Sequence, residues 1–144
     1  MKFNHLHLCC TLLLFINISF IQAQTYVDAN VSGGLNNGSS WSNAYVDLAS
    51  ALNNAGAGEE FWVAQGTYYP TSGTSQNISF TVNVQGVKIY GGFQNGQTTL
   101  SQRNWTNHPT ILSGDIGAMN VNTDNSYNVF YLPKAVTTLT LDGF

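Results

Sequence analysis

The chain has 144 residues, enough for one domain and too few for two of ordinary size. Only 8% of them are charged, against about 25% in an average soluble domain, so solubility falls to Asn, Gly, Ser and Thr. After Lys2 the only cations are Lys88, Arg103 and Lys134, facing seven acidic residues. Three scattered cations cannot neutralise a phosphate backbone or hold an anionic membrane surface, which argues against nucleic-acid partners and against membrane association through charge. Aromatic content of 12% supplies material for a core and argues against disorder.

The N-terminus reads as an export signal. Lys2 is the positive region, Thr11 to Ile21 the apolar run, and Ile21-Gln22-Ala23 a cleavage site, giving a signal peptide over 1–23 and a mature chain from Gln24. The apolar run is about half the ~20 residues needed to span a bilayer, and Asn17 interrupts it. No membrane insertion of the mature part is expected. Cys9 and Cys10, the only cysteines, lie before this run and leave with it. The mature chain therefore lacks disulfides, thiol catalysis and zinc-thiolate sites.

Tyr26 to Ala29 is a short strand signal, followed by a Gly/Asn/Ser loop from Asn30 to Ser40. Trp41, Tyr45, Leu48, Leu52 and Ala55 recur at helical spacing and predict a helix from about Ser42 to Asn54. Ser40 or Ser42 would cap its start, and Gly56 and Gly58 would end it. Glu60 to Pro70 reads as strand, Gly turn and second strand. Ile78 to Val84 alternates as a strand, and Val87 to Phe93 is a strand closing on glycines. A polar loop holding Arg103, Trp105 and His108 runs from Asn95 to Pro109. Thr110 to Ile116, Asn128 to Leu132 and Thr138 to Phe144 are further strands, with a polar loop from Gly117 to Tyr127.

Four segments share a strand-then-Gly form: Trp62 to Gly66, Lys88 to Gly92, Thr110 to Gly114 and Thr140 to Gly143. Their spacing falls in the 20–50 residue range of stacked repeats. In such a stack each coil lays a strand on the coil before, and Gly turns the corner. Coils bury their faces only against neighbours, so the first needs a cover, and the helix stands just before it. An antiparallel sandwich also uses short strands and Gly turns, but its hairpins are short and these connections are long.

Tyr26-Val27-Asp28-Ala29-Asn30, Ser40-Trp41-Ser42-Asn43-Ala44-Tyr45, Trp62 to Pro70, Tyr90-Gly91-Gly92-Phe93, Asn104-Trp105-Thr106, Thr110 to Ile116 and Leu141-Asp142-Gly143-Phe144, in this order, resemble the N-terminal region of secreted right-handed parallel β-helix proteins of the pectin-lyase-like superfamily. The type is common in surface proteins of Bacteroidetes. The resemblance implies an all-β fold: the start of a right-handed parallel β-helix with one capping α-helix, the cap over 24–58 and the first coils over 59–144. It also implies further coils downstream, so the chain is expected to be truncated or a fragment.

Residues that could carry chemistry are few. A polyuronate lyase needs a base beside calcium-holding carboxylates, and Arg103 has no acidic cluster near it in sequence. Asn122-Thr123-Asp124 coincides with a polygalacturonase-like motif whose companion motifs are absent. Asn120, Asn122 and Asp124 follow the 1, 3, 5 pattern of a calcium loop, but Asn125 replaces its Gly and Tyr131 its closing Glu. They are the metal candidates, and calcium the one candidate cofactor. Asp28 and Asp115 read as turn residues bonding local amides, and His108 lacks triad partners. Trp41 and Trp62 are expected in the core. Trp105, Tyr68, Tyr69 and Arg103 are the candidates for contact with glycan.

These features point to a non-catalytic, adhesin-like or glycan-contacting start of a secreted or cell-surface β-helix, associated with the outer membrane if the full-length protein has a C-terminal anchor. The partner would be an extracellular polysaccharide or cell-surface glycan. The alternative is the N-terminal part of a polysaccharide lyase or glycoside hydrolase with its active site on later coils.

Overall fold

The computed structural model describes residues 24–144, and the signal-peptide reading of 1–23 lies outside the described residues. Among the described residues no helix is long and apolar enough to cross a membrane.

The fold is mostly strand with little helix. Its strands are β1 (Gln24–Val27), β2 (Glu60–Ala64), β3 (Gly66–Tyr68), β4 (Phe80–Thr81), β5 (Val87–Phe93), β6 (Thr110–Leu112), β7 (Phe130–Tyr131) and β8 (Leu139–Asp142). One short helix, α1, spans Leu48–Asn53. The strands form three sheets, ordered β1-β2-β5-β8, β3-β6 and β4-β7, and every pairing between them is parallel. From β2 onward the chain enters the three sheets in turn, enters them again in the same order, and returns to the first with β8. Parallel neighbours need long connections, which is why short hairpin turns are scarce in the sequence.

The rounds are unequal. Glu60 faces Lys88, but Lys88 faces Thr140, so the second round is nearly twice as long as the first. Its extra length is the two polar loops around Arg103 and Asn120. The even repeat read from the sequence is corrected here: Thr110 to Leu112 does not stack on Val87 to Phe93 but pairs with Gly66 to Tyr68 in the second sheet. The shared strand-then-Gly form marks corners of the chain rather than equivalent positions in successive rounds.

Alternation along the four-stranded sheet sends side chains to two separate cores. Val27, Phe61, Val63, Val87 and Ile89 join Tyr68, Phe80 and Val82 inside. Tyr26, Trp62 and Tyr90 sit opposite one another in register on the outer face, packed with Trp41, Ala64 and Phe93. There the Trp62 and Phe93 rings stack at 4.6 Å, and Tyr26 lies 4.8 Å from Trp41. Both Trp41 and Trp62 are buried, as expected.

The predicted helix is shorter than its periodicity. Trp41–Asn43 is a single 3-10 turn capped by the Ser40 hydroxyl, and Ala44 then leaves helical geometry with ψ 151°. Tyr45 is extended and bridges Val27. Its N–H donates to Tyr26 O, its carbonyl accepts from Asp28 N, and Gly38 O accepts from Tyr26 N, each at 2.9 Å. The free edge of β1 is thus satisfied by the 38–45 segment. That demand for ladder partners outweighs helical propensity at Tyr45. The helix restarts at Leu48, where the Asp47 carboxylate accepts from Ser50 N at 2.8 Å.

The expected stripe is therefore divided. Leu48, Ala51 and Leu52 pack into the inner core with Phe61, Val63 and Phe80, with α1 lying against β4. Trp41 serves the outer cluster beside Trp62, on the other side of the sheet.

The corner between the first and second sheets explains the glycines. Between Tyr90 and Phe93 strand β5 holds one residue more than β2, a bulge in which Gly92 has φ +83°. A Cβ on Gly91 would stand 2.5 Å from Gly143 O, and one on Gly143 would stand 2.7 Å from Gly91 O. Successive corners stack backbone on backbone, with no room for a side chain. Thr110 fastens the same corner from within: its buried hydroxyl accepts from Gly92 N at 2.8 Å and donates to Ala64 O at 3.2 Å.

Candidate functional site

Any hydrolytic or lyase chemistry would draw on carboxylates, and each of the seven is engaged locally. Asp28 accepts from Asn30 N and from the Asn95 amide. Asp47 caps α1. Glu59 accepts from the Thr25 hydroxyl and from Gly56 N. Glu60 accepts from the Trp62 indole and pairs with Lys88 at 3.7 Å. Asp142 pairs with Arg103 at 2.7 Å. Asp115 accepts from Asn120 N, and Asp124 from Ala118 N. Asp28 and Asp115 hold local amides, as the sequence reading expects.

The calcium pattern resolves into a self-bonded turn. Asn120 has φ +63°, and its N–H lies against both Asp115 oxygens, at 3.0 and 3.1 Å. Asn122 is exposed. Asp124 keeps one carboxylate oxygen on Ala118 N at 2.8 Å; the other is buried with no hydrogen-bond partner. Among the described residues no three His, Cys, Asp or Glu side chains are grouped to hold a metal ion. His108 likewise has a buried, unpartnered Nδ1.

The glycan-contact candidates separate into three situations. Tyr68 is buried; its hydroxyl donates to Ala64 O at 3.0 Å and receives Ala29 N at 3.3 Å. Burial raises its pKa well above the usual phenol value, with the nearby Asp28 charge adding to the rise and the Ala29 bond opposing it. Tyr68 is thus corrected from a surface candidate to a core residue, because its strand position points it inward.

Arg103 and Trp105 come together on the outer face. The Arg103 guanidinium lies 4.8 Å from the Tyr90 ring centroid and 5.8 Å from that of Trp105. With its side chain 13% exposed and paired to Asp142, Arg103 has little freedom to meet a ligand. Its position makes it a clasp between the 94–109 loop and β8. Trp105 is 58% exposed and seated over Gly92, where a Cβ would stand 2.9 Å from Trp105 N. It is an exposed aromatic ring held on a rigid corner.

Tyr69 lies in a different place. It lines a cleft of about 230 Å³ with Asp47, Leu48, Thr67, Thr71 and Ser72. An adjoining depression of about 160 Å³ shares Tyr69, Thr71 and Ser72 and adds Asp115, Ile116 and Met119. The two depressions meet at Tyr69, Thr71 and Ser72, a half-buried aromatic ring with hydroxyls beside it, and each has one carboxylate in its lining, Asp47 or Asp115. Asp47, Thr71 and Ser72 were not singled out in the sequence, because nothing there signals that a helix cap and a loop after β3 converge. The groove's two carboxylates and lack of a lining cation suit a neutral or basic ligand better than a polyuronate.

Comparison with protein-family models, with curated proteins and with solved structures finds no match.

Proposed function

We propose that this chain is the N-terminal cap and first coils of a secreted or cell-surface parallel β-helix, with a non-catalytic, glycan-contacting role. The observation that carries the reading is the cyclic order of the strands: three parallel sheets entered in one sequence, then again in the same sequence. That order is what a chain winding as a solenoid produces, and the Gly corners stacked backbone on backbone at Gly91 and Gly143 are consistent with it. The residues from Asn37 to Tyr45 and α1 act as the cover that such a stack needs at its first coil. The pectin-lyase-like resemblance of the ordered motifs supports the same assignment.

The contact role rests on two surfaces, the Trp105 ring and the Tyr69 groove. Both offer aromatic faces suited to the apolar face of a sugar ring, and hydroxyls or carboxylates that accept from its hydroxyl groups. Each of the seven carboxylates already holds at least one hydrogen bond or ion pair within the fold, and none is set opposite a second as a hydrolytic pair requires, which supports a binding role over a hydrolytic one for these residues.

The test is affinity electrophoresis of the mature chain through gels containing neutral, amino-sugar or uronate polysaccharides. Retardation by a neutral or amino-sugar polymer, reduced in Trp105→Ala or Tyr69→Ala, is expected. Absence of retardation in every polymer would remove the glycan role. Release of unsaturated uronate products would replace it with the lyase alternative.

A further inference from the structure

We propose that Asn95 is a site of spontaneous covalent modification: succinimide formation with Gly96, then hydrolysis to aspartate and isoaspartate, which unfastens the 94–97 turn from the cap. The steps balance without an oxidant or reductant. The Gly96 amide nitrogen bonds to Asn95 Cγ, the Cγ–Nδ2 bond breaks, and the Gly96 proton leaves with ammonia. Water then opens the ring at Cγ, giving aspartate, or at the backbone carbonyl, giving isoaspartate.

The reaction needs a following residue without a side chain and a backbone nitrogen that is free to attack. Two Asn-Gly pairs occur, and the structure distinguishes them. At Asn37-Gly38 the Gly is buried, its N–H donates to Asn43 O at 2.8 Å, and Asn37 Oδ1 accepts from Ser39 N at 3.1 Å. Both side-chain amides are hydrogen-bonded, so the difference lies in the nucleophile, and here the Gly38 nitrogen is tied. At Asn95-Gly96 the Gly is exposed, with φ +91° and no atom within 4 Å of its missing Cβ. Among the described residues its N–H donates to nothing.

The consequence follows from what Asn95 holds. Its amide donates to Asp28 Oδ2 at 2.7 Å, and Asp28 is 4% exposed with its other oxygen on Asn30 N. No cation pairs with Asp28 among the described residues, and the other titratable group near it is the Tyr68 hydroxyl. Conversion to aspartate replaces the donor on Asp28 with a second carboxylate: Asn95 is exposed, but the Asp28 carboxylate that it faces is buried and loses a hydrogen bond to gain a like charge. The same turn is held to the cap by Trp41 Nε1 donating to Gln97 O at 2.7 Å. Loss of the Asp28 tie leaves that bond to hold the start of the loop that carries Arg103 and Trp105. Modification thus loosens the cover of the outer aromatic face.

Two experiments decide it. The mature chain is aged in mildly alkaline buffer and mapped by peptide mass spectrometry with isoaspartate detection. The expected result is a gain of about one dalton with isoaspartate at Asn95, and none at Asn37. An unmodified Asn95, or equal reaction at both pairs, would overturn the site. For the release, Asn95→Asp should speed proteolysis within the 94–109 loop roughly tenfold, and Asp28→Asn added to it should restore resistance to within about twofold. Failure of Asn95→Asp to fold, with recovery in the double variant, carries the same meaning. Native resistance of Asn95→Asp, or no recovery in the double variant, would overturn the release.

Discussion

Truncating the two leucines of α1 separates a covering helix from a decorative one. Leu48 and Leu52 are 1% and 2% exposed and share a cluster with Phe61, Val63 and Phe80. A buried Leu→Ala change costs about 2–5 kcal/mol, the upper part of the range applying where the surroundings cannot collapse. Six residues of isolated helix are far below the ~12 needed for marginal stability in water, so α1 exists by virtue of this packing. The two sites line one space and will not add fully; a combined loss of about 4–8 kcal/mol is the working figure. That approaches the 5–15 kcal/mol total of an ordinary domain. Urea unfolding followed by Trp fluorescence, with size-exclusion chromatography, reads the outcome. Leu48→Ala/Leu52→Ala should aggregate or lose most of its midpoint, while Asn53→Ala, on the exposed side of the same helix, should stay near native. Equal, near-native behaviour of the two would refute the covering role.

Other variants probe the corner, the clasp and the buried phenol. Thr110→Val keeps the shape but leaves Gly92 N without its hydroxyl acceptor and Ala64 O with the Tyr68 hydroxyl alone, and should lower stability by about 1–3 kcal/mol in urea unfolding. Gly91→Ala forces a Cβ into Gly143 O and should destabilise in the same assay, whereas Gly73→Ala, with 3.4 Å to its nearest neighbour, should not. Arg103→Ala removes a half-exposed ion pair and the cover over Tyr90; about 1–2 kcal/mol is expected, with only the ion-pair part fading in high salt. The raised Tyr68 pKa makes its contribution whole below the ordinary phenol value of 10.0 and progressively lost as pH climbs beyond it, since the unfolded chain releases that proton first. Tyr68→Phe should cost stability at neutral pH yet flatten the alkaline decline measured by thermal unfolding.

The alternating runs were legible because period-2 burial depends on local pattern alone. Val87 to Phe93 forms as read, and Phe80, Val82 and Val84 keep their alternation although only Phe80 and Thr81 are paired as strand. Tyr45 departs from the helical spacing because its conformation depends on β1, a partner that the local pattern does not contain. Thr110 to Leu112 pairs away from the strand its signature suggests for a related reason: strand-then-Gly records a corner, and does not specify which earlier strand stacks there once loops of unequal length intervene. Of the contact candidates, Tyr68 and Tyr69 are adjacent and chemically alike, so only the strand's facing tells the buried one from the groove-lining one. The groove itself, lined by the helix cap Asp47 and by Asp115 far from it in sequence, has no linear signature.

The stacking of β3 on β6 across two intervening strands tests the winding most directly. Residues 24–144 contain no cysteine, so a pair introduced into that segment expressed alone reports without interference. Thr67 and Ile111 face each other in parallel register and both are exposed. Directly paired strand neighbours lie about 5 Å apart, within disulfide reach. Tyr131 is equally exposed but belongs to the third sheet. Under mild oxidation Thr67→Cys/Ile111→Cys should crosslink within one chain, seen as a mobility shift lost on reduction, and Thr67→Cys/Tyr131→Cys should not. Crosslinking of the second pair to the same extent, or of neither, would contradict the winding.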